Sequence, residues 1–501
     1  MIPRAPKLLD SCAIVIFGVT GDLTARKLMP ALFNLHLQGL LPSQFRCIGV
    51  ARKEKTDAHF QQEIKEALET FSREKPSQHP QKWESFAPLI LYHQSQFDDP
   101  LGYSELKKKL KSLESEGIVN WLHYLSTPPS YFPTIAHHLH EQNLIHPVST
   151  NGGPWTRVII EKPFGHDLDS SLELQKQLSA LMHESQIYRI DHYLGKDTVQ
   201  NLLVLRFSNL LFESIWNHHY IDHVQITVAE ELGIGRRGAF FEEAGILRDI
   251  IQNHVMQLLC LVAMEPPVSL GARDIRSEKV KVLQAIRPID LATLEENAVR
   301  GQYTKGQVGF QDVIGYREEK DVDPQSRVET FAALKLHIDN WRWSGVPFYL
   351  RAGKRLAKRC TEVAIVFKNI PSVLFHNSSD ALQNNALIIR IQPNDGISLN
   401  INCKMPNLGF AIRPVSLDFD FDSLNHTPPE AYERLLCDCM LGDNTLFARD
   451  DEVIHSWKVL TPLLKAWESP LQPHEFYVAG SQGPTYAQKL FPHDSRGWHE
   501  L

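Results

Sequence analysis

The sequence predicts an α/β domain built on a parallel sheet over residues 1–190, followed by an α+β domain with a large, mainly antiparallel sheet over 191–501. Three observations predict it. Continuous apolar, β-branched runs alternate with helix-period segments through the first 190 residues, as strands buried on both faces of a doubly wound sheet require. Beyond Asp191 the strands instead alternate apolar and polar residues, the pattern of a sheet buried on one side. The 501 residues are also enough for two domains with separate cores.

In chain order, residues 13–17 read as the first strand, ended by a glycine-containing turn. Leu28, Leu32 and Leu35 then recur at helical spacing. A second strand is expected at 45–51 and a second helix at 57–71, before Pro76. Leu106, Leu110 and Leu113 define a further helix, whose wet side carries the lysines 107–109; these read as a solvated face. Strands follow at 121–126 and 158–161, the latter after a Pro/Gly-rich loop at 146–154. In the second domain Val224, Ile226 and Val228 alternate with Gln225, Thr227 and Ala229, and similar strands are expected at 363–367, 386–392 and 397–401. Long helices are expected at 240–264 and 430–441.

Composition excludes several classes. Net charge is −7, from 52 basic and 59 acidic side chains, which offers no electrostatic footprint for nucleic acid or an anionic membrane. Neither is expected as a partner, so a polyanionic ligand must meet a local basic cluster. Seven scattered cysteines suit reduced thiols and a cytoplasmic setting better than a disulfide framework, and no metal site is expected. The N-terminal apolar run is too short to cross a bilayer and ends in Gly18, Gly21 and Asp22; it reads as strand and turn, not as a signal peptide. No transmembrane helix is expected elsewhere.

Three stretches carry chemistry. The first turn, Gly18-Val19-Thr20-Gly21-Asp22-Leu23, can bring bare backbone N–H groups and a helix N-terminus to a pyrophosphate, which would make the first domain Rossmann-like. Its GxxG spacing is equally that of a tight structural turn. Arg52 and Lys53 follow the second strand, where an acid would accept a ribose 2′-hydroxyl; an arginine there suits a 2′-phosphate, or is simply a surface residue. The stretch 189–196 gathers Asp191, His192, Tyr193 and Lys196, and the last three could converge on a phosphate or stand as unrelated surface groups. The third is the helix bearing Arg248, Asp249 and His254. Ile250, His254 and Leu258 lie four apart, so His254 is a core histidine or a general base with its tautomer fixed by a carboxylate, for which Asp191 is a candidate. Arg351, Lys354, Lys358 and Arg359, after a strand at 348–350, read on their own as a solvated basic face.

Together these motifs resemble the glucose-6-phosphate dehydrogenase family. The resemblance runs in order through FGVTGDL (17–23), YLSTPPSY (124–131), EKPFG (161–165), RIDHYLGK (189–196), LRDIIQNH (247–254), LRAGK (350–354) and YERLL (432–436), and so covers nearly the whole chain. It implies oxidation of D-glucose 6-phosphate at C1 to the 1,5-lactone with hydride transfer to NADP+, the opening reaction of the oxidative pentose phosphate pathway. By the same resemblance the residues from Gly18 to Leu23 (with Val19, Thr20, Gly21 and Asp22), Arg52 and Tyr131 contact the coenzyme. Lys162 lies between coenzyme and sugar, and Pro163 follows a cis bond. His192, Tyr193 and Lys196 hold the 6-phosphate; Glu230, Asp249, Lys354, Arg359 and Gln392 contact the substrate; His254 is the base, paired with Asp191. A homodimer or homotetramer formed through the second domain's sheet is also implied. Cys360 and Ala364 stand where some relatives with a second, structural NADP carry basic residues, so one coenzyme is expected. A catalytically silent NADP sensor and an oxidoreductase of another hexose phosphate remain as alternatives.

Overall fold

Six parallel strands form most of the first sheet: β1 (Cys12–Phe17), β2 (Phe45–Ala51), β3 (Ile90–Gln94), β4 (Asn120–Leu125), β5 (Thr156–Ile160) and β6 (Ile187–Ile190). Their spatial order is β6-β5-β4-β1-β2-β3, with a two-residue strand, β17 (Phe447–Ala448), pairing antiparallel outside β6. The computed structural model describes residues 9–149, 152–370, 382–406, 411–424, 429–491 and 496–501.

The apolar run at β1 is buried along its whole length because parallel neighbours flank it and helices cover both faces. The helix Asp57–Phe71 has the expected bounds: Thr56 caps its N-terminus by accepting from the His59 N–H, and Phe60, Ile64 and Leu68 form its buried face. Strands β3 and β6 escaped the sequence reading. Each is short, and Tyr-His-Gln in one and Tyr-Arg in the other break the apolar pattern. Lys109 departs from the solvated face expected for residues 107–109. It turns inward, donating to the Tyr92 carbonyl at 2.6 Å, and burial lowers its pKa, against the nearby Asp57.

The chain divides into two compact units, and the expected boundary at residue 190 falls inside the first. That unit runs to Lys196 and also takes in 269–276 and 429–453. The late segment belongs there because β17 extends the sheet and the helix Ala431–Leu441 is bound to its neighbours. Glu433, 1% exposed, accepts from Asn34 at 2.8 Å, Gln38 at 3.3 Å and Arg73 at 3.4 Å.

The second unit holds a nine-stranded sheet. Its strands are β7 (Ile221–Ala229), β8 (Ala298–Thr304), β11 (Phe331–His337), β12 (Pro347–Gly353), β13 (Cys360–Phe367), β14 (Ala386–Gln392), β15 (Gly396–Lys404), β16 (Ile412–Asp420) and β18 (Glu475–Val478), and a separate hairpin pairs β9 (Gly306–Val308) with β10 (Gln311–Val313). The order is β16-β15-β14-β13-β7-β12-β11-β8-β18, antiparallel except where β7 meets β12 and β8 meets β18. One expectation needs correcting: β7 is buried on both faces. Its polar residues are covered by the segment 496–501, with Gln225 donating to the Gly497 carbonyl and accepting from the His499 N–H, while Thr227 accepts from Arg351.

The helix expected at 240–264 is three pieces, Gly238–Ile246, Leu247–Val255 and Met256–Ala263, the middle one wound as a π-helix. By length and composition residues 238–263 could cross a membrane, but 89% of the most apolar window is buried in the protein, as in a core helix. A helix apolar all round is what a central position demands. Its last carbonyls are satisfied internally: Trp216 and Trp343 donate to those of Val262 and Ala263, and Arg206 to those of Leu261 and Met264.

Candidate active site

In the first unit, the carboxyl ends of β1, β2 and β4 open onto a cavity of about 390 Å³ lined by Gly18, Thr20, Gly21, Arg52, Ser126 and Tyr131 among others. Ligands of open α/β sheets bind at this edge. The turn is shaped by Gly18, whose φ is +79° and where a Cβ would stand 2.3 Å from the Ser126 carbonyl oxygen. The Gly18 and Val19 N–H groups donate to the Val50 carbonyl, and the Gly21 N–H to that of Gly18. Val19 therefore packs inward, 2% exposed, and Asp22 pairs with Arg26 at 2.6 Å; neither lines the cavity, nor does Leu23. Arg52 stands exposed at the rim, and Tyr131 lies edge-on to Phe97 with ring centroids 5.2 Å apart. Residues 95–98 and 126–128 line the same cavity and were missed, because the short β3 gave no strand pattern to place the first group.

Also in this unit, β5 ends at Ile160 and leads through Glu161 to Lys162, whose bond to Pro163 is cis, as the resemblance implied. After β6 the chain turns tightly. Asp191, 3% exposed, accepts the Tyr193 N–H on its carboxylate at 3.0 Å and the Leu194 N–H on its carbonyl at 3.0 Å. The His192 ring sits edge-on to Tyr193 at 5.1 Å, and the Lys196 ammonium lies 4.5 Å from the Tyr193 ring centre. Structure thus gathers imidazole, phenol and ammonium, with His192 and Lys196 partly exposed and Tyr193 buried. Such a set of donors can hold a phosphate.

The second unit gathers its own cluster, where β7 and β12 end side by side. Glu230 follows β7 and Lys354 follows β12. The Lys354 ammonium, 1% exposed, lies 2.6 Å from Glu230 and 3.4 Å from Asp249, with the Phe241 ring 5.2 Å away. Here the sequence reading of a solvated basic face is corrected: Arg351 and Lys354 are both buried, because β12 lies inside the sheet, and only Lys358 and Arg359 are exposed. Arg359 donates to Gln392 at 3.1 Å, so these two candidates meet each other.

Asp249 and His254 share the π-helical piece, 6% and 1% exposed. Ile250, His254 and Leu258 are all buried, as their shared stripe predicted, but the wider π turn rotates His254 relative to a regular helix. The bulged piece starts after Gly245, at φ +61° and ψ 176°. Glu329 sits against that glycine and accepts the Leu247 N–H.

Comparison with known proteins gives a consistent result. Residues 15–201 match the family model described as glucose-6-phosphate dehydrogenase, NAD binding domain, and 203–499 the one described as glucose-6-phosphate dehydrogenase, C-terminal domain. A glucose-6-phosphate 1-dehydrogenase of Chlamydia pneumoniae is 52% identical over 99% of this chain and 98% of its own, and that of Chlamydia muridarum is 50% identical over 97% and 96%. A solved glucose-6-phosphate dehydrogenase in complex with its substrate glucose-6-phosphate superposes with a TM-score of 0.88 at 38% identity, over 98% of this chain and 99% of that one.

Proposed function

The chain belongs to the glucose-6-phosphate dehydrogenase family, and from that premise we propose that it oxidises D-glucose 6-phosphate at C1 with NADP+ as hydride acceptor. The observation that carries the choice of coenzyme is Arg52, exposed at the mouth of the β1–β2–β4 cavity, where a 2′-phosphate would meet its guanidinium. The cavity fits a dinucleotide's phosphate end: a backbone turn at Gly18 to Gly21 with no Cβ at its closest approach, and hydroxyls from Thr20, Ser126 and Tyr131. When bound, the coenzyme supplies the hydride acceptor.

The chain's own residues do the rest. His192, Tyr193 and Lys196 bind the 6-phosphate and fix the sugar's register. Lys162, on the turn after β5, serves coenzyme and sugar together. Glu230, Asp249 and Lys354 recognise sugar hydroxyls; two carboxylates about one ammonium offer both acceptors and donors. Arg359 and Gln392 contribute at the substrate's edge. His254 removes the proton from the C1 hydroxyl, leaving electron density to expel the hydride, and Asp191 supports that base. General-base assistance is worth roughly 10²–10⁴-fold, and the fixed geometry of sugar and acceptor supplies a further orientation term. The lactone phosphate is the product.

We further infer a homodimer or homotetramer in the cytoplasm. The exposed edge strand β16 supports the assembly, and the absence of disulfides among the described residues, which include all seven cysteines, supports the location.

Mixing the purified protein with glucose 6-phosphate and NADP+ and following NADPH absorbance tests the reading, and Arg52→Ala tests its coenzyme half. The KM for NADP+ should rise at least about tenfold, the worth of one charge-assisted contact, with that for NAD+ little changed. Equal changes reject Arg52 as the 2′-phosphate reader, and no reaction with any hexose 6-phosphate rejects the activity.

A further inference from the structure

Three of the sequence motifs meet at one side chain that the reaction above does not use. Glu161 opens EKPFG, directly after β5 and directly before Lys162. Its Oε1 accepts the hydroxyl of Tyr124 at 2.5 Å and that of Tyr432 at 3.2 Å. Tyr124 begins YLSTPPSY and is fully buried on the neighbouring strand β4. Tyr432 begins YERLL, in the first turn of the helix Ala431–Leu441.

That helix is no loose neighbour. The residue after Tyr432 is Glu433, held by Asn34, Gln38 and Arg73. The backbone of Gly195, inside RIDHYLGK, packs so closely on Ala431 that a Cβ there would come within 2.8 Å of the Ala431 carbonyl oxygen. One helix thus backs the phosphate-binding turn and grips Glu161. Burial raises the pKa of Glu161 from its ordinary value, while the Tyr124 and Tyr432 hydroxyls and the charge of Lys162 oppose the rise and Asp191 adds to it. Lys162 and Asp191 therefore lie within electrostatic reach of this carboxyl group.

We propose that Glu161 is a positioning residue for the reaction: clamped by the Tyr124 and Tyr432 phenols, its carboxyl group fixes the point at which β5 leaves the sheet and so aims Lys162. The alternative occupation, a purely structural tie between strand and helix, uses the same contacts but makes no demand on the next residue. The inference rests on the reading of Lys162 as a coenzyme and sugar contact.

A double-mutant cycle separates the two. Glu161→Leu should lower kcat/KM for glucose 6-phosphate by about thirtyfold or more, since a misplacement of about 1 Å can cost on the order of 10²-fold. Glu161→Gln, which keeps a carbonyl oxygen for both phenols, should recover to within a few fold of the parent. In a Lys162→Ala background, Glu161→Leu should cost less than about twofold, because its effect passes through the missing ammonium. If Glu161→Leu does not fold, the pair Tyr124→Phe with Tyr432→Phe releases the same carboxyl group with little change of shape and enters the same cycle. Full additivity in the Lys162→Ala background overturns the proposal, as does a Glu161→Gln loss equal to that of Glu161→Leu. An unchanged kcat/KM in Lys162→Ala alone overturns it too. Failure of the broader functional reading shows in the parent enzyme's own assay, whereas failure of this inference shows only in the cycle.

Discussion

At the scale of single residues, burial and charge decide what each candidate can do. His254 is 1% exposed on a helix whose other buried polar residue of the site is Asp249. An imidazole so enclosed is poorly hydrated, and it serves as a base only while a carboxylate or carbonyl orients it. His254→Asn keeps a comparable shape and a polar side chain but removes the proton acceptor. Turnover should fall by about two decades or more with the KM for glucose 6-phosphate within a few fold, as expected when an interaction made only in the transition state is lost. If Asp191 and His254 act as one unit, Asp191→Asn combined with His254→Asn should be no slower than the worse single variant. Multiplicative losses, read from initial rates of NADPH formation, would separate their roles. Lys354 behaves differently. It is a buried cation between two acids, so its removal strands Glu230 and Asp249, and breaking such a cluster commonly costs about 3–5 kcal/mol. Variants at Lys354 report on folding before they report on the sugar.

At the scale of elements, the sequence conceals the π-helical piece Leu247–Val255. Nothing in LRDIIQNHV distinguishes a π turn from an α turn, because both present the same apolar residues on one side. The π turn is set by a distant residue: Gly245 adopts φ +61° and ψ 176°, a conformation essentially closed to residues with a Cβ, and the Glu329 carboxylate occupies the space where that Cβ would be, 2.3 Å away. The carboxylate then accepts the Leu247 N–H at the start of the bulged piece. Gly245→Ala should lower the unfolding free energy by at least about 2 kcal/mol and reduce turnover, since Asp249 and His254 ride on the same element. An unchanged urea midpoint would show that the backbone there is less constrained than its geometry implies. The C-terminal segment 496–501 is a second example. Its contacts with β7, not the alternation within β7, decide that this strand is buried twice over.

At the scale of the whole molecule, the edge of the second unit's sheet is unfinished. Strand β16 runs nine residues at the end of the order, exposed along almost its whole length, with Val415, Leu417 and Phe419 open to solvent. Long apolar edge strands left bare invite pairing with another chain. The assembly proposed above should therefore appear as a dimer or tetramer by light scattering, and Leu417→Lys together with Phe419→Lys should shift it towards monomer while the coenzyme cavity of the first unit remains functional for binding. A monomeric parent protein, or a double variant that stays fully assembled, would place the interface elsewhere or remove it.

Much of this protein is legible from its residues alone. Apolar period and turn chemistry give β1, β2, β4, β5 and β7, and the helix Asp57–Phe71 to the residue, but not β8, β11, β16 or the helices Ala272–Ala285 and Asp450–Trp467. The order of motifs brings in the family, and with it the roles proposed for Asp191, His192, Lys196 and His254. These are local properties: a buried parallel strand must be apolar throughout, and a cluster of polar donors within eight residues is visible as text. What tertiary structure alone decides depends on neighbours distant in sequence. The inward turn of Lys109, the burial of Arg351 and Lys354, the meeting of Glu161 with Tyr124 and Tyr432, and the π turn set by Glu329 each join groups between 17 and 271 residues apart. Side chains of identical type lie in solvent elsewhere in the chain, because burial and partner are set by the packing around a residue and leave no mark in its immediate sequence.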